Sequence, residues 1–329
     1  MDKYRGTARL LFGVCAQRGL ALLVVLWVMA ILMVTVLSFS FSMRTETYAT
    51  TAFRDDAEKK FFAEAGLQRG LLELLYRRQN ITNTIVLEGN EVWKVDGTEY
   101  HDVVGSGSYT VSIMGEEGKI DINKAPDVLL NTLLLNQGVN KDIADTIVDS
   151  LLDWRGPADL TRVHGAGNEY YESLPVPYKV KNAPFDTVEE LLLVKGVTPD
   201  IFYGNGDRKG IMDLLTVYSG GSAINLNYAP IEVLMAIPGI SANAADSIIK
   251  YRHDQTINNI QEVFSGDSQV MQPFITVTEG NVFTIDAVGY KEDGKAGYPV
   301  RATVVFDGTN GYKYLYYKSP AYKVQQGNG

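Results

Sequence analysis

Leu20 to Phe41 is a run of twenty-two predominantly apolar residues without a single charge. At about 1.5 Å rise per residue it reaches roughly 33 Å as a helix, enough to cross a bilayer core. No compact soluble domain needs such a segment, so the run fixes the first element of any fold this chain adopts. The residues before it hold Lys3, Arg5, Arg9 and Arg18 against Asp2, a net charge of +3 that keeps this end in the cytoplasm. A secretory signal peptide has a shorter apolar core followed by a small-residue cut site. Here the small residue, Gly19, precedes the run. That order suits a precursor trimmed on the cytoplasmic side, which leaves the apolar helix as the new N-terminus.

Gln17-Arg18-Gly19 followed by Leu-Ala-Leu-Leu resembles the leader junction of type IV prepilins and pseudopilins. The resemblance implies cleavage after Gly19 by a prepilin peptidase and methylation of the new terminus at Leu20. The fifth mature residue is then Val24, where most of the class carries Glu. A carboxylate in lipid is costly and is kept only for a partner. In the family that Glu meets the amino terminus of a neighbouring subunit, and the K-type minor pseudopilin of type II secretion, a tip subunit, lacks it. The alternative from the N-terminus alone is an ordinary signal anchor.

The chain of 329 residues has a net charge of −9, and loss of the leader leaves −12. Such a surface disfavours nucleic acid and anionic lipid. Cys15, the only cysteine, lies in the leader, so the mature chain forms no disulfide. Its place before the apolar run, behind the large Val14, also disfavours a lipid-acceptor role. His101, His164 and His253 are far apart and show neither metal spacing nor a nucleophile–base pattern, so no enzyme is expected.

From Ser42 to Gln79 there is no Pro, and the only glycines are Gly66 and Gly70. Phe53, Ala57, Phe61, Ala65, Leu71, Leu74 and Leu75 recur mostly at three- and four-residue spacing, which predicts an amphipathic continuation of the first helix. A break near Ser42 is the alternative. Strands are expected over Ser108–Met114, Val282–Ala287, Pro299–Phe306 and Tyr312–Lys318, bounded by glycine-containing turns. The residues between Lys119 and Thr278 read as mostly helical, so a domain inserted between two strands is expected.

That insert repeats itself. Ile120-Asp-Ile-Asn-Lys-Ala-Pro126 parallels Ile224-Asn-Leu-Asn-Tyr-Ala-Pro230. Each leads through a glycine turn, at Gly138 or Gly239, into a second helix that ends in Asp153-Trp154-Arg155 or Lys250-Tyr251-Arg252. Phe185 to Pro199 reads as a third, shorter copy. Asn, Asp or Thr before each helix can cap it, and Pro126 and Pro230 fit a first helical turn. Each unit resembles a helix-hairpin-helix, which often holds DNA phosphates at its glycine turn. The 224–252 copy also resembles that of membrane-anchored DNA receptors of uptake systems, the rival reading. The turn 240–245 has no Lys or Arg, Ser241 replaces a usual Gly, and Asp142 and Asp200 stand at the other turns. Nucleic acid is therefore not the expected partner.

Ala63-Glu-Ala-Gly-Leu67, Glu169-Tyr-Tyr-Glu-Ser-Leu-Pro-Val-Pro-Tyr178 and Asn182-Ala-Pro-Phe-Asp186 extend the resemblance to the K-type minor pseudopilins from Gln17 to about Phe306. The fold it implies is α+β: a pilin-like long N-terminal helix and antiparallel sheet, with a large inserted all-α domain. The implied divisions are a leader at 1–19, a membrane part at 20–41 and a soluble helix at 42–80. Sheet segments at 81–119 and 278–329 then flank an insert at 120–277. The implied role is a tip subunit that helps initiate pseudopilus assembly and protein export. Its partners are other minor pseudopilins, the prepilin peptidase and the inner-membrane machinery, with the soluble part periplasmic. No cofactor is certain. The resemblance implies calcium in the acidic loop, where Asp153, Asp159, Asn168 and Glu169 offer hard oxygens. Gly156-Pro157 and Gly165-Ala166-Gly167 stand where relatives are often richer in Asp, which favours plain solvated carboxylates.

Overall fold

The computed structural model describes residues 16–79, 93–157, 161–206, 208–264, 269–291, 296–308 and 311–321. The leader residues 1–15 and Asp159 lie outside them. The chain divides into two units, residues 1–58 and 59–329.

Helix α1 runs without interruption over Ala16–Gln79, so the break near Ser42 is not found. In the first unit, residues 20–54 are all exposed. This is one helix long and apolar enough to cross a membrane, with a mean hydropathy of 3.0 in its best window. Uncharged side chains with no protein to cover them are soluble in lipid, not water. Arg54 and Glu58 pair at i,i+4 just past the apolar run, at 3.3 Å.

In the second unit the last turns of α1 lie on an antiparallel sheet of five strands, ordered β1-β2-β3-β4-β5. These are Asp96–Val104, Gly107–Gly115, Val282–Lys291, Tyr298–Asp307 and Gly311–Lys318. β2 alternates strictly between buried and half-buried residues, which aims Tyr109, Val111 and Ile113 at the helix. Ala63, Leu67, Leu71 and Leu74 meet them, together with Ile285, Ala287, Val300, Ala302 and Phe306. Of the expected stripe, Leu71 and Leu74 are buried and Ala65 and Leu75 pack half-buried beside them, whereas Phe61 is exposed. The reason is the glycines. A Cβ at Gly66 would crowd Tyr109, and one at Gly70 would stand 3.0 Å from Ile285 Cγ2, so the sheet lies against the helix's glycine face. A Cβ at Gly289 of β3 would overlap the Lys59 carbonyl oxygen, and there strand and helix backbones touch. Lys59, itself buried, donates from Nζ to the Ala296 carbonyl at 3.0 Å.

Four of the five strands match the sequence expectation, and β1 was missed. It is an edge strand with mostly exposed polar residues, so it lacks the alternation that marks a half-buried strand. β2 and β3 pair from Gly107↔Lys291 to Gly115↔Phe283 although residues 116–281 separate them in the chain. Those residues form the insert, with its own core around Leu129, Leu133, Ile147, Trp154, Phe202, Leu226, Val233 and Ile248. Its helices are α2 (Asp127–Asn136), α3 (Lys141–Arg155), α4 (Asn168–Glu172), α5 (Pro199–Tyr203), α6 (Ile231–Ala236) and α7 (Ala242–Asp254). Long apolar helix, antiparallel sheet and helical insert make the fold α+β and pilin-like.

Gly289→Val is expected to lower stability by about 3 kcal/mol or more, because a branched side chain must push α1 off β3. Gly105→Asn, at an open left-handed turn with nothing within 4 Å of its Cβ position, is expected to change it by less than about 1 kcal/mol. Thermal melting of the two purified variants checks the pair.

Candidate functional site

The two hairpins of the insert are built on the same hydrogen-bonded frame. Ile120-Asp121 pairs in parallel with Leu215-Thr216, and Ile224-Asn225 pairs in parallel with Ile275-Thr276. In the first, Asp121 Oδ1 accepts the Asn123 N–H at 2.8 Å; in the second, Asn225 Oδ1 accepts that of Asn227 at 2.9 Å. These side chains turn the chain out of the strand and into a helix. Pro126 and Pro230 stand at the N-cap position, one residue earlier than expected. Asn140 and Ser241 then cap the second helices with their side-chain oxygens.

At the far end of each second helix an arginine returns to the start of the unit. Arg155 donates to the Ile122 and Ala125 carbonyls, and Arg252 to those of Leu226 and Ala229. Burial pulls both guanidinium pKa values below their ordinary range, and the charge stays because carbonyl dipoles surround it. An asparagine closes each unit. Asn123 accepts from the Phe185 N–H at 2.7 Å and donates to the Phe185 carbonyl at 2.9 Å. Asn227 does the same to Ile257, at 2.9 and 3.0 Å. Sequence reasoning missed this correspondence and took Phe185 to Pro199 for a third hairpin. In the structure residues 188–193 form a short 3-10 turn, matched in the second unit by Ile260–Glu262. The turn leads through Gly196, at φ 87°, into the Thr198-capped α5, so the stretch is a short helix, glycine turn and helix whose start Asn123 ties to the first unit. The signal was Phe-Asp-Thr-Val-Glu-Glu against Ile-Asn-Asn-Ile-Gln-Glu, six residues in the same order.

These clamps bear on nucleic acid. Arg155 and Arg252 are committed to internal carbonyls, and Lys141, at the first glycine turn, pairs with Asp145 at 2.5 Å rather than standing alone toward a phosphate.

The insert is tied to the sheet at several points. Tyr228 of the second unit is buried in the sheet's core cluster. Arg77 of α1 pairs with Glu279 at 3.0 Å, and Arg301 of β4 holds both Asp286, at 2.6 Å, and Asp213 of the insert, at 2.8 Å. Tyr316 of β5 donates to Glu189 at 2.7 Å, with Lys318 at 3.3 Å. At the junction itself Glu116 receives Lys119 at 2.6 Å and the Thr216 hydroxyl. Next to it Glu117 has Oε2 buried without a hydrogen-bond partner among the described residues. Burial, with the Glu116 carboxylate adding to it, pushes the Glu117 carboxyl up to about 7 against its own and neighbouring backbone N–H groups.

Among the residues marked by sequence, Gly19, Leu20 and Val24 all fall within α1, and Leu20 and Val24 are exposed. Of the four candidate oxygen donors, Asp159 lies outside the described residues, and the other three are placed as follows. Asp153 is buried and bonded to protein donors, Asn168 Oδ1 accepts from the Val180 N–H at 3.0 Å, and Glu169 is exposed. No group of three or more His, Cys, Asp or Glu among the described residues could hold a metal ion. A further surface was not anticipated. Phe61, Glu64, Ala65, Leu67 and Gln68 of α1 and Tyr314 and Tyr317 of β5 line an open groove. Tyr312, Tyr314 and Tyr317 meet edge to face along that sheet edge.

Residues 112–203, from β2 through the first unit to the end of α5, match the family model described as type II secretion system (T2SS), protein K. The chain is 25% identical over 201 residues to the type II secretion system protein K of Pectobacterium carotovorum subsp. carotovorum. It is 22% identical over 195 residues to a type II secretion system protein K of Escherichia coli (strain K12). Each alignment covers 56% of this chain and 60% of the relative's length. These likenesses are to protein K of type II secretion systems, over part of this chain and of theirs. The fold of this chain is similar to that of a chain in the crystal structure of the GspK-GspI-GspJ complex from the type 2 secretion system of enterotoxigenic Escherichia coli. The TM-score is 0.56 at 13% identity, over 85% of this chain and 99% of that one. At that identity the likeness is one of fold. None of these matches supports the DNA-receptor alternative.

Asn227→Ala is expected to cost about 2–4 kcal/mol, because it orphans the N–H and carbonyl of Ile257 together. Denaturant unfolding measures the loss. A carboxyl raised in the folded state binds its proton more tightly there, so Glu117 lowers stability as pH rises from about 4.5 to about 7. Glu117→Gln is expected to remove that slope and add up to about 3 kcal/mol at pH 8, read from unfolding curves at stepped pH.

Proposed function

We propose that this protein is the minor pseudopilin at the tip of a type II secretion pseudopilus, where it helps to initiate assembly and supports export across the outer membrane. One observation carries the reading: a bulky helical domain stands between two neighbouring strands of a pilin-like sheet whose helix begins as an uncharged membrane span. A shaft is a stack of subunits around their helices, and a domain of this size obstructs stacking everywhere but at the end. Val24 supports the same position. A subunit with no neighbour above it needs no carboxylate for that neighbour's amine, whereas an unpaired amine along the shaft costs several kcal/mol in lipid.

In this reading the prepilin peptidase cuts between Gly19 and Leu20, the Leu20 amine is methylated and the span lies in the inner membrane. The +3 leader holds the N-terminus in the cytoplasm, and the sheet and insert are periplasmic. The partners are other minor pseudopilins and the inner-membrane secretion machinery. The groove of Phe61, Tyr314 and Tyr317 suits such a partner, since exposed aromatics with polar rims are typical anchors of protein interfaces. The role is structural and asks for no catalysis.

Gly19→Val is expected to block cleavage, because a pocket fitted to Gly has no room for a branched side chain. Mass spectrometry then finds the full leader on the variant and a methylated Leu20 on the wild type. An intact Met1 terminus on wild-type protein, in cells with active peptidase, would sink the reading. A label on the insert is expected at one end of assembled fibres, and regular label along the shaft contradicts the tip position.

A further inference from the structure

The chain crosses between sheet and insert twice, outward at 116–119 and back at 277–281, and the crossings lie side by side because β2 pairs with β3. Glu117 sits between them. Its carboxylate lies so close to the return crossing that a Cβ at Gly280 would overlap Oε1. Oε2 is buried and has no hydrogen-bond partner among the described residues. The cations nearby are engaged elsewhere. Lys119 holds Glu116 at 2.6 Å, both of them buried, and Arg77 of α1 holds Glu279 of the return crossing at 3.0 Å. The hydroxyl of Tyr228, from the second unit, lies within electrostatic reach of Arg77, Glu279 and Glu117. Ionised Glu117 is thus a largely buried charge without a cation of its own, next to a second carboxylate, Glu116. Protonated, the same side chain is neutral and fills the same space. Its own N–H and those of Asn281 and Val282 favour the charge, but burial, with Glu116 adding to it, outweighs them, and the carboxyl titrates at about 7. Hydration relieves a charge so placed, and it requires the return crossing at Gly280 to move away.

We propose that Glu117 is a proton-controlled clasp at the root of the insert: the neutral acid holds the two crossings together, and the ionised form lets them open locally. Around neutral pH the insert is then tied to the sheet more or less tightly according to the proton. The clasp works in the same way whether or not the subunit sits at a pseudopilus tip.

Hydrogen–deuterium exchange of the full-length protein in detergent at about pH 6 and about pH 8, corrected for the intrinsic pH dependence of exchange, tests the clasp. A carboxyl that titrates at about 7 when closed and at about 4.5 when open makes opening about tenfold easier at the higher pH. Protection of the amides at 116–121 and 277–282 is therefore expected to fall about tenfold. At both pH values these amides are expected to exchange ahead of the α3 core, because the clasp opens without unfolding the insert. Glu117→Gln, neutral and nearly the same shape, is expected to show equal protection at the two pH values. Equal protection of the wild-type crossings at both pH values overturns the proposal, and so does a tenfold change that survives Glu117→Gln. Crossings that exchange only together with α3 open by global unfolding, and that result overturns it as well. If Glu117→Gln does not fold, the wild-type comparison of the crossings with α3 decides.

Discussion

The pairing of β2 with β3 is the constraint on which this architecture rests. Nine residue pairs, Gly107↔Lys291 to Gly115↔Phe283, join two strands that lie on either side of the whole insert. Because paired strands stand about 4.8 Å apart, the insert must begin and end at almost the same point. The duplicated frame meets that demand. Its first unit opens on Ile120-Asp121 and its second finishes on Ile275-Thr276, both a few residues from the sheet, and Tyr228 fills the gap between them. Gly115 and Gly118 have no side chains because Tyr228 occupies the space where a Cβ would stand.

Inside the insert, polar side chains rather than long helices supply the order. α6 has six residues and α2 ten, too short to hold themselves in water. Each unit is instead closed by one arginine on two carbonyls and one asparagine on a distant backbone pair. Buried carbonyls that would otherwise be unsatisfied are matched to donors of fixed geometry. A buried carboxylate is matched in the same way where Asp153 accepts from the Arg162 guanidinium and from the Arg162 and Ala166 N–H groups.

Much of this was legible in the sequence where a local rule decided the outcome. The Leu20–Phe41 span needed only the absence of charge, and four strands announced themselves through β-rich composition and flanking glycines. The letters Ile-x-x-Asn-x-Ala-Pro exposed the duplication. What could not be read depended on partners remote in the chain. The phase of the α1 stripe was set by Gly66 and Gly70, which an apolar count ignores and Tyr109 and Ile285 decide. β1 has polar faces because it is an edge. Phe185 belongs to the first unit only through Asn123, sixty-two positions away. In the acidic loop, Asp153 drew notice as an oxygen donor, while Arg162, its partner in the structure, carried no pattern that marked it.

The outer edge of the sheet limits how anything can be added to this molecule. β5 is short, carries Lys313 and Lys318, and its pairing with β4 slips at Thr303/Val304, an irregularity that bends the edge. Lysines and bulges of this kind discourage a foreign strand from extending a sheet. Growth by backbone pairing, the route to open-ended aggregates, is thereby disfavoured at the one edge that carries a row of tyrosines. Whatever binds there has to recognise rings and hydroxyls, and so has to be the right surface rather than merely an extended one.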